Sequence, residues 1–309
     1  MTAKQLRQKF MRQFMGLSKY SRANAWLVVM AYIGQILGSI VIGHYLLTLP
    51  LSALSVTGMI ALMIFIATRQ RGLNNIVHEC SHATFTQNRS DNVLLGSICA
   101  AFVLGCFKDY RDEHLTHHAH LGDYEHDLDL QGIKALRLDE PLTPRVILRH
   151  LTNPLWGRHL PYYLRINRSA RDGRAFQILK FALIALALVL TIAAPLTGFL
   201  FVLVPYLLIY STISYWTDCL DHAGISMSGD DLDSSRNMLA PYLLRILFFP
   251  RNDAFHLVHH LFPQIPARHL PESHRVLCED ESYVTKANAV RVWDGSPQYH
   301  QKARPSALT

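Results

Sequence analysis

The chain has 309 residues, half of them apolar, with only 17% charged and a formal net charge of +7. Soluble domains usually carry about 25% charged residues, so the composition argues against an ordinary water-soluble fold. The apolar residues also come in unbroken blocks rather than periodic stripes, the pattern of membrane-crossing segments.

In chain order, the opening stretch "KQLRQKFMRQF" places Leu6, Phe10 and Phe14 on one helical face with basic residues around them. This predicts a basic interfacial segment over residues 1–25. A cleaved signal peptide is disfavoured, because the apolar run that follows is too long and no A-x-A site comes after it. Trp26 to Leu49 and Leu51 to Thr68 contain no formal charge, and Phe181 to Thr217 runs 37 residues without one, interrupted by Pro195 and Pro205. A spanning helix needs about 20 apolar residues. Four spans are therefore expected, at approximately 26–48, 51–69, 176–194 and 197–217, paired into hairpins that turn at "TLPLS" and "AAPLTG".

Lys4, Arg7, Lys9, Arg12, Lys19 and Arg22 precede the first span without an acid, Arg69 and Arg71 follow the second, and Lys134 to Lys180 is rich in arginine. The positive-inside rule then puts both termini and both large polar regions in the cytoplasm. Topology and anionic lipid account for the positive charge better than nucleic acid does. The expected fold class is all-α integral membrane: one domain over 1–309, four spans in two hairpins, and a cytoplasmic helical cap ending in a cytoplasmic tail, 276–309. Asn92 to Phe107 and "MLAPYLLRILFFP" at 238–250 are too short to span comfortably. They read as re-entrant or interfacial helices, with Arg245 able to snorkel. Cys80, Cys99, Cys106, Cys219 and Cys278 show no C-x-x-C spacing and are expected to stay reduced.

Nine of the 17 histidines fall in patterned places. His78 and His82 flank "HECSH" after the second span; "HLTHH" supplies His114, His117 and His118; "DCLDH" supplies His222; and "HLVHH" supplies His256, His259 and His260. On a helix, H-x-x-H-H lets all three imidazoles face one side. Neutral imidazole dominates near pH 7 and suits zinc, copper, iron or nickel, so spacing alone does not name the metal. Nine ligands exceed the three or four that one zinc uses and suit two ions with four or five ligands each. His44, His120, His126, His150, His159, His269, His274 and His300 read as ordinary polar residues.

These three boxes, threaded between two hydrophobic hairpins, resemble the membrane fatty-acid desaturase/hydroxylase family, and "HLVHHLFPQIPARHLPE" is similar to the third box of methyl-end acyl-lipid desaturases. The resemblance extends from the first span to about residue 275. It implies two non-haem iron ions held by His78, His82, His114, His117, His118, His222, His256, His259 and His260, with O2 as co-substrate. It also implies an acyl or alkyl substrate. Neither a haem motif, nor G-x-G-x-x-G, nor iron–sulfur spacing is present, so electrons are expected from a separate donor, ferredoxin or a cytochrome b5-like protein with its reductase. Asp218 stands where relatives have an Asn that touches metal through water; a water-mediated role and a plain helix-end polar role both stay open. Glu79 replaces a common Asp and is expected near the ligands or facing solvent. In "GDYEHDLDL", Asp123, Glu125, Asp127 and Asp129 are candidates for orienting ligand imidazoles, with at least two expected to be solvated.

Within the family, hydroxylation or ketolation, and desaturation of a small specialised metabolite of the rhizobitoxine type, remain open. Outside it, His78-Glu79-His82 matches H-E-x-x-H, the signature of a membrane zinc protease. A non-catalytic metal-binding or transport protein is a further alternative. The basic stretch 134–180 could dock an acidic donor, but ordinary positive-inside bias explains it as well.

Overall fold

The structure, a computed structural model, describes residues 1–164, 166–225, 230–287 and 289–291. Among these, four helices are long and apolar enough to cross a membrane: Arg22–Thr48, Ala53–Ser81, Arg174–Ala193 and Pro195–His222. His300 and the end of the expected tail, 292–309, lie outside the described residues.

The chain begins with helix α1 (Ala3–Phe14), closed at its start by a capping box between Thr2 and Gln5. Serine caps open the next two helices, α2 (Arg22–Thr48) and α3 (Ala53–Ser81). Ser21 accepts from the Asn24 amide at 3.3 Å, and Ser52 from the Ser55 amide at 3.1 Å. Each hydroxyl satisfies a backbone donor that the first turn would leave orphaned. α2 is apolar nearly all round, and outward residues such as Leu27 and Val41 are about two-thirds exposed. That surface suits lipid rather than water.

α3 does not stop at residue 69, where the apolar run ends, but continues three turns to Ser81. No proline interrupts it, and Gly72 sits where a Cβ would collide with the Tyr32 ring of α2, so the glycine permits close packing. One rigid helix thus carries the first histidine box. α4 (Arg89–Phe102) packs Leu95, Cys99 and Ala100 into the core beside α3. It bends by 103° into α5 (Phe107–His120), which holds the second box.

Three short helices follow: α6 (Leu128–Ile133), α7 (Pro144–Thr152) and α8 (Leu160–Tyr163). The third long apolar helix is α9 (Arg174–Ala193). The fourth is composite: α10 (Pro195–Gly198), π-helical turns over Phe199–Leu203 and Pro205–Tyr210, then α11 (Ser211–His222). Pro205 has no N–H to continue an α ladder, and the helix widens around it rather than breaking. This helix also runs past its expected end at 217, as far as His222.

The remaining chain folds as α12 (Asp231–Ser234), β1 (Asn237–Leu239), α13 (Tyr242–Phe248), α14 (His256–Leu261), α15 (Leu270–Leu277), α16 (Glu281–Lys286) and β2 (Ala289–Arg291). β2 pairs in parallel with β1. In the 238–250 stretch only α13 is helical; Tyr242 and Leu243 are about two-thirds exposed, whereas Arg245 stacks over Phe255 at 5.2 Å rather than snorkelling freely.

α1 corrects one expectation. Its apolar face forms as expected, but Leu6, Phe10 and Phe14 are buried in protein, in one cluster with Phe255, Leu257, Leu261 and Phe262. Phe14 meets Phe262 edge-on with ring centroids 4.8 Å apart. The basic residues act as anchors: Arg7 pairs with Asp231 and donates to the Leu261 carbonyl at 2.8 Å, and Lys9 bonds Asp280 at 2.6 Å. An amphipathic helix needs an apolar partner, and here the partner is the third-box region rather than lipid. Phe14→Ala is therefore expected to destabilise the detergent-purified protein by about 3–5 kcal/mol, the usual cost of deleting a buried aromatic ring. Thermal unfolding checks this, and an unchanged transition would return the helix to the membrane interface.

Candidate metal centre

The nine patterned histidines converge as two groups whose nitrogens, within each group, all lie within 4.8 Å of one another. One group is His78, His82, His114, His118 and His259; the other is His117, His222, His256 and His260. The split follows helical geometry. Each pair four residues apart (78/82, 114/118, 256/260) turns to one group, because i and i+4 nearly superpose along a helix. The residue at i+3 in each H-x-x-H-H, His117 or His259, is rotated toward the other group. This corrects the expectation that all three imidazoles of a box face one side. The groups abut, with His118 stacked on His260 at 4.4 Å between ring centroids.

Within the five-histidine group, Nε2 atoms lie 2.8 Å apart for His78 and His259, 3.0 Å for His82 and His114, 3.1 Å for His114 and His118, and 3.0 Å for His118 and His259. In the four-histidine group, His256 Nε2 lies 2.9 Å from both His222 Nε2 and His260 Nε2.

The outer nitrogens explain why these cannot all be hydrogen bonds. His222 Nδ1 faces the Ser234 carbonyl at 3.0 Å, which only accepts, so Nδ1 carries the proton and Nε2 presents a lone pair. His117 Nδ1 faces Asp127 at 2.9 Å, His114 Nδ1 faces Asp129 at 3.5 Å, and His256 Nδ1 faces Asp221 at 3.6 Å. Asp127 favours the same tautomer for His117, whereas His256 Nδ1 is buried without a hydrogen-bond partner, with Asp221 just beyond hydrogen-bond distance. The inward Nε2 atoms crowd to about 3 Å of one another, and where the outer nitrogen holds the proton, as in His222 and His117, the inward one is a lone pair that a bound cation would satisfy. Burial, and then the neighbouring imidazoles, hold His256, His259 and His260 well below the usual histidine range, so these three stay neutral near pH 7; His117, despite its burial, is raised by its bond to Asp127.

Of the acidic run after the second box, Asp127 is fully buried and Asp129 reaches His114, whereas Asp123 bonds exposed His126 at 2.7 Å. Glu125 reaches no histidine through any described contact. Asp221 and the Ser234 carbonyl were not singled out by sequence spacing; the adjacency of Asp221 to His222 in "DCLDH" was the available signal. Asp218 belongs to neither group, and its carboxylate accepts from the Tyr163 hydroxyl at 2.6 Å.

Glu79 is neither solvent-facing nor directed at the histidines. It is buried and held bidentately by Arg251, with Nε–Oε1 2.6 Å and Nη2–Oε2 2.9 Å. Arg251 stacks over Tyr20 and Phe85 at 5.3 and 5.2 Å and occupies a left-handed backbone conformation, φ 66°. A glutamate fixed in this way has no free oxygen to act as base on a water bound at His78 and His82. The remaining described histidines have other partners: His44 meets Thr197, His150 meets Tyr215, and His274 meets Tyr283.

Residues 54–286 match the family profile "Fatty acid desaturase". The chain belongs to the fatty acid desaturase family. It is an oxidoreductase of that family with membrane-type helices and histidine clusters able to hold metal. Among curated relatives, it is 28% identical over 270 residues to the dihydrorhizobitoxine desaturase of Bradyrhizobium elkanii, covering 80% of this chain and 74% of that protein. It is 26% identical over 269 residues to an sn-1 oleoyl-lipid 12-desaturase of a Synechocystis species, covering 79% of this chain and 74% of that one. It is 25% identical over 229 residues to the acyl-lipid omega-3 desaturase (cytochrome b5), endoplasmic reticulum, of Arabidopsis thaliana, covering 63% of this chain and 57% of the relative.

Two outcomes are expected. Arg251→Met leaves Glu79 buried without its partner and lowers stability by about 3–5 kcal/mol; adding Glu79→Gln recovers part of the loss in thermal unfolding. Acid also destabilises the chelator-treated protein. His256, His259 and His260 stay neutral when folded but titrate near 6.5 when unfolded, so below that pH the unfolded chain binds more protons and stability falls. A melting temperature that does not fall between about pH 7.5 and 5.5 would contradict this.

Proposed function

We propose that this protein uses O2 and a bound iron pair to introduce a double bond into an acyl or alkyl chain. The observation that carries the proposal is the grouping of five and four imidazoles, with the outer nitrogens of His117 and His222 held by a carboxylate and a carbonyl. The donor set fits iron: all nitrogen, no thiolate, and more ligands than a tetrahedral zinc site takes. When bound, the iron pair supplies the oxidising power that an unactivated C–H bond demands.

The chain's own residues hold the imidazoles in one tautomer and orientation. Asp127, Asp129 and Asp221 face the outer nitrogens, and the Glu79–Arg251 pair ties the first box to the segment leading into the third. In balance, –CH2–CH2– with O2, two electrons and two protons becomes –CH=CH– with two waters. The two external electrons come from a separate donor, a ferredoxin or a cytochrome b5-like protein with its reductase. The basic segments support a histidine-bearing cap on the cytoplasmic side, with the spans as two hairpins. The 134–180 stretch is a weak candidate for donor docking, because Arg137 and Arg149 pair with Glu140, and Arg171 with Asp109 and Asp112.

A second reading, desaturation of a small specialised metabolite rather than a membrane lipid, is favoured by the similarity to dihydrorhizobitoxine desaturase over 80% of this chain.

The test is expression in a host lacking the protein, with lipid and metabolite profiling and metal analysis of the purified chain. The expected product is two hydrogens lighter than its precursor, disappears in His259→Ala, and accompanies bound iron. A product heavier by one oxygen would assign hydroxylation. Activity that survives His259→Ala but is abolished by Glu79→Gln would favour the protease alternative. Iron-free protein with no new product would overturn the proposal.

A further inference from the structure

We propose that a cavity beside His82 binds the anionic head, a carboxylate or phosphate monoester, of an amphiphilic substrate. The cavity measures about 360 Å³ and has three cationic side chains in its lining, Lys19, Arg89 and Arg111. Val93, Phe107 and Leu115 form apolar wall, and His82, a member of the five-histidine group, forms another part of it. The desaturase reading supplies the word "substrate"; the charge and shape of the cavity are independent of it.

The cations are what set this place apart. Some basic residues elsewhere are matched to acids, Arg22 to Asp91, Arg71 to Asp253, Arg171 to Asp109 and Arg251 to Glu79, and others, such as Arg69 and Arg236, donate to carbonyls; here three cations line one cavity. Around this cavity no carboxylate is among the described lining residues. Lys19 donates to the Ala83 carbonyl at 2.8 Å, and Arg111 Nε to the Ser81 carbonyl at 3.1 Å. These bonds aim the side chains without neutralising them, so their full positive charge remains for a ligand. Arg89 is exposed at the start of α4, whose N-cap residue Asn88 makes no side-chain capping bond. Asp91 in the first turn of that helix offsets its positive end and is itself paired with Arg22, so the cations of the lining carry the field.

An inorganic anion would leave the apolar wall unused, and a neutral chain would leave the cations unused. A molecule with an anionic head and a short apolar segment uses both. The volume suits a small head group with a few attached carbons and is at the low end for a ligand pocket. Because His82 borders the cavity, a head seated here lies next to the five-histidine group.

The test uses the full-length, iron-loaded protein in phosphatidylcholine nanodiscs, titrated calorimetrically with hexanoate, hexyl phosphate and hexanol. Hexanoate and hexyl phosphate are expected to bind and hexanol not to; Lys19→Met with Arg89→Gln is expected to weaken anion binding about tenfold or more, as loss of charge-assisted bonds does. Lys19→Arg with Arg89→Lys should retain it, and equal iron content and melting temperature establish that the variants are folded. Phosphatidylglycerol nanodiscs distinguish the source of the head: competition with hexyl phosphate assigns a lipid head group, and its absence a free acid. Equal binding by wild type and the charge-removing variant, or equal binding of hexanol, overturns the proposal. It is likewise overturned if the variant weakens only the docking of an acidic electron donor. Binding is read without turnover. Product formation with no anion binding therefore refutes this site alone, whereas anion binding without any product counts against the desaturase reading.

Discussion

Buried imidazole nitrogens with inward lone pairs are the constraint on which the architecture depends. Neutral imidazole has one N–H, and where Ser234, Asp127, Asp129 or Asp221 faces Nδ1, the remaining nitrogen is an acceptor with no donor in front of it. Crowding nine buried or half-buried imidazoles, some with such inward lone pairs, into two small volumes costs folding energy that positive charge between them would offset. The rings are carried on regular elements rather than loops: α3, α5, α11 and α14 supply all of them except His82, which follows immediately after α3.

Rigidity comes from contacts between segments far apart in the chain. The Glu79–Arg251 pair joins residues 172 positions apart, and α1 reaches across to pack on the third-box region. Arg7 even donates to the His260 carbonyl at 3.2 Å, so the first helix braces a histidine of the last box through its backbone. A buried ion pair contributes little net stability against an apolar replacement, but it specifies geometry because either partner alone is costly. Here that geometry is the register of the first box against the segment that opens the third.

The spans and the nine histidines were legible in the sequence because both signals are local: an uncharged run of sufficient length, and spacing at one helical turn. The division into five and four was not legible. It depends on which side of each helix meets which neighbour, and H-x-x-H-H is equally compatible with one target or two. Glu79 shows the same limit. Its position next to a ligand was evident, but its partner, Arg251, is set by long-range folding. For α1 the sequence correctly marked an apolar face, and amphipathicity alone does not distinguish lipid from protein as the surface that covers it. Asp221 escaped notice because an acid beside a histidine is common and points elsewhere in most helices.

α3 is a single helix from Ala53 to Ser81, apolar in its first part and carrying His78 of the first box in its last. With a rise of 1.5 Å per residue, His78 stands about 13 Å beyond Arg69. No loop intervenes to take up slack, so this spacing is a fixed ruler. The height of the first histidine box above the apolar part is then built into the covalent length of one helix, and a one-residue insertion between Arg69 and His78 would both lift the ring and swing it by about 100°. The position of the histidine groups relative to the apolar helices is thus a property of the backbone, set apart from the side chains that vary around it.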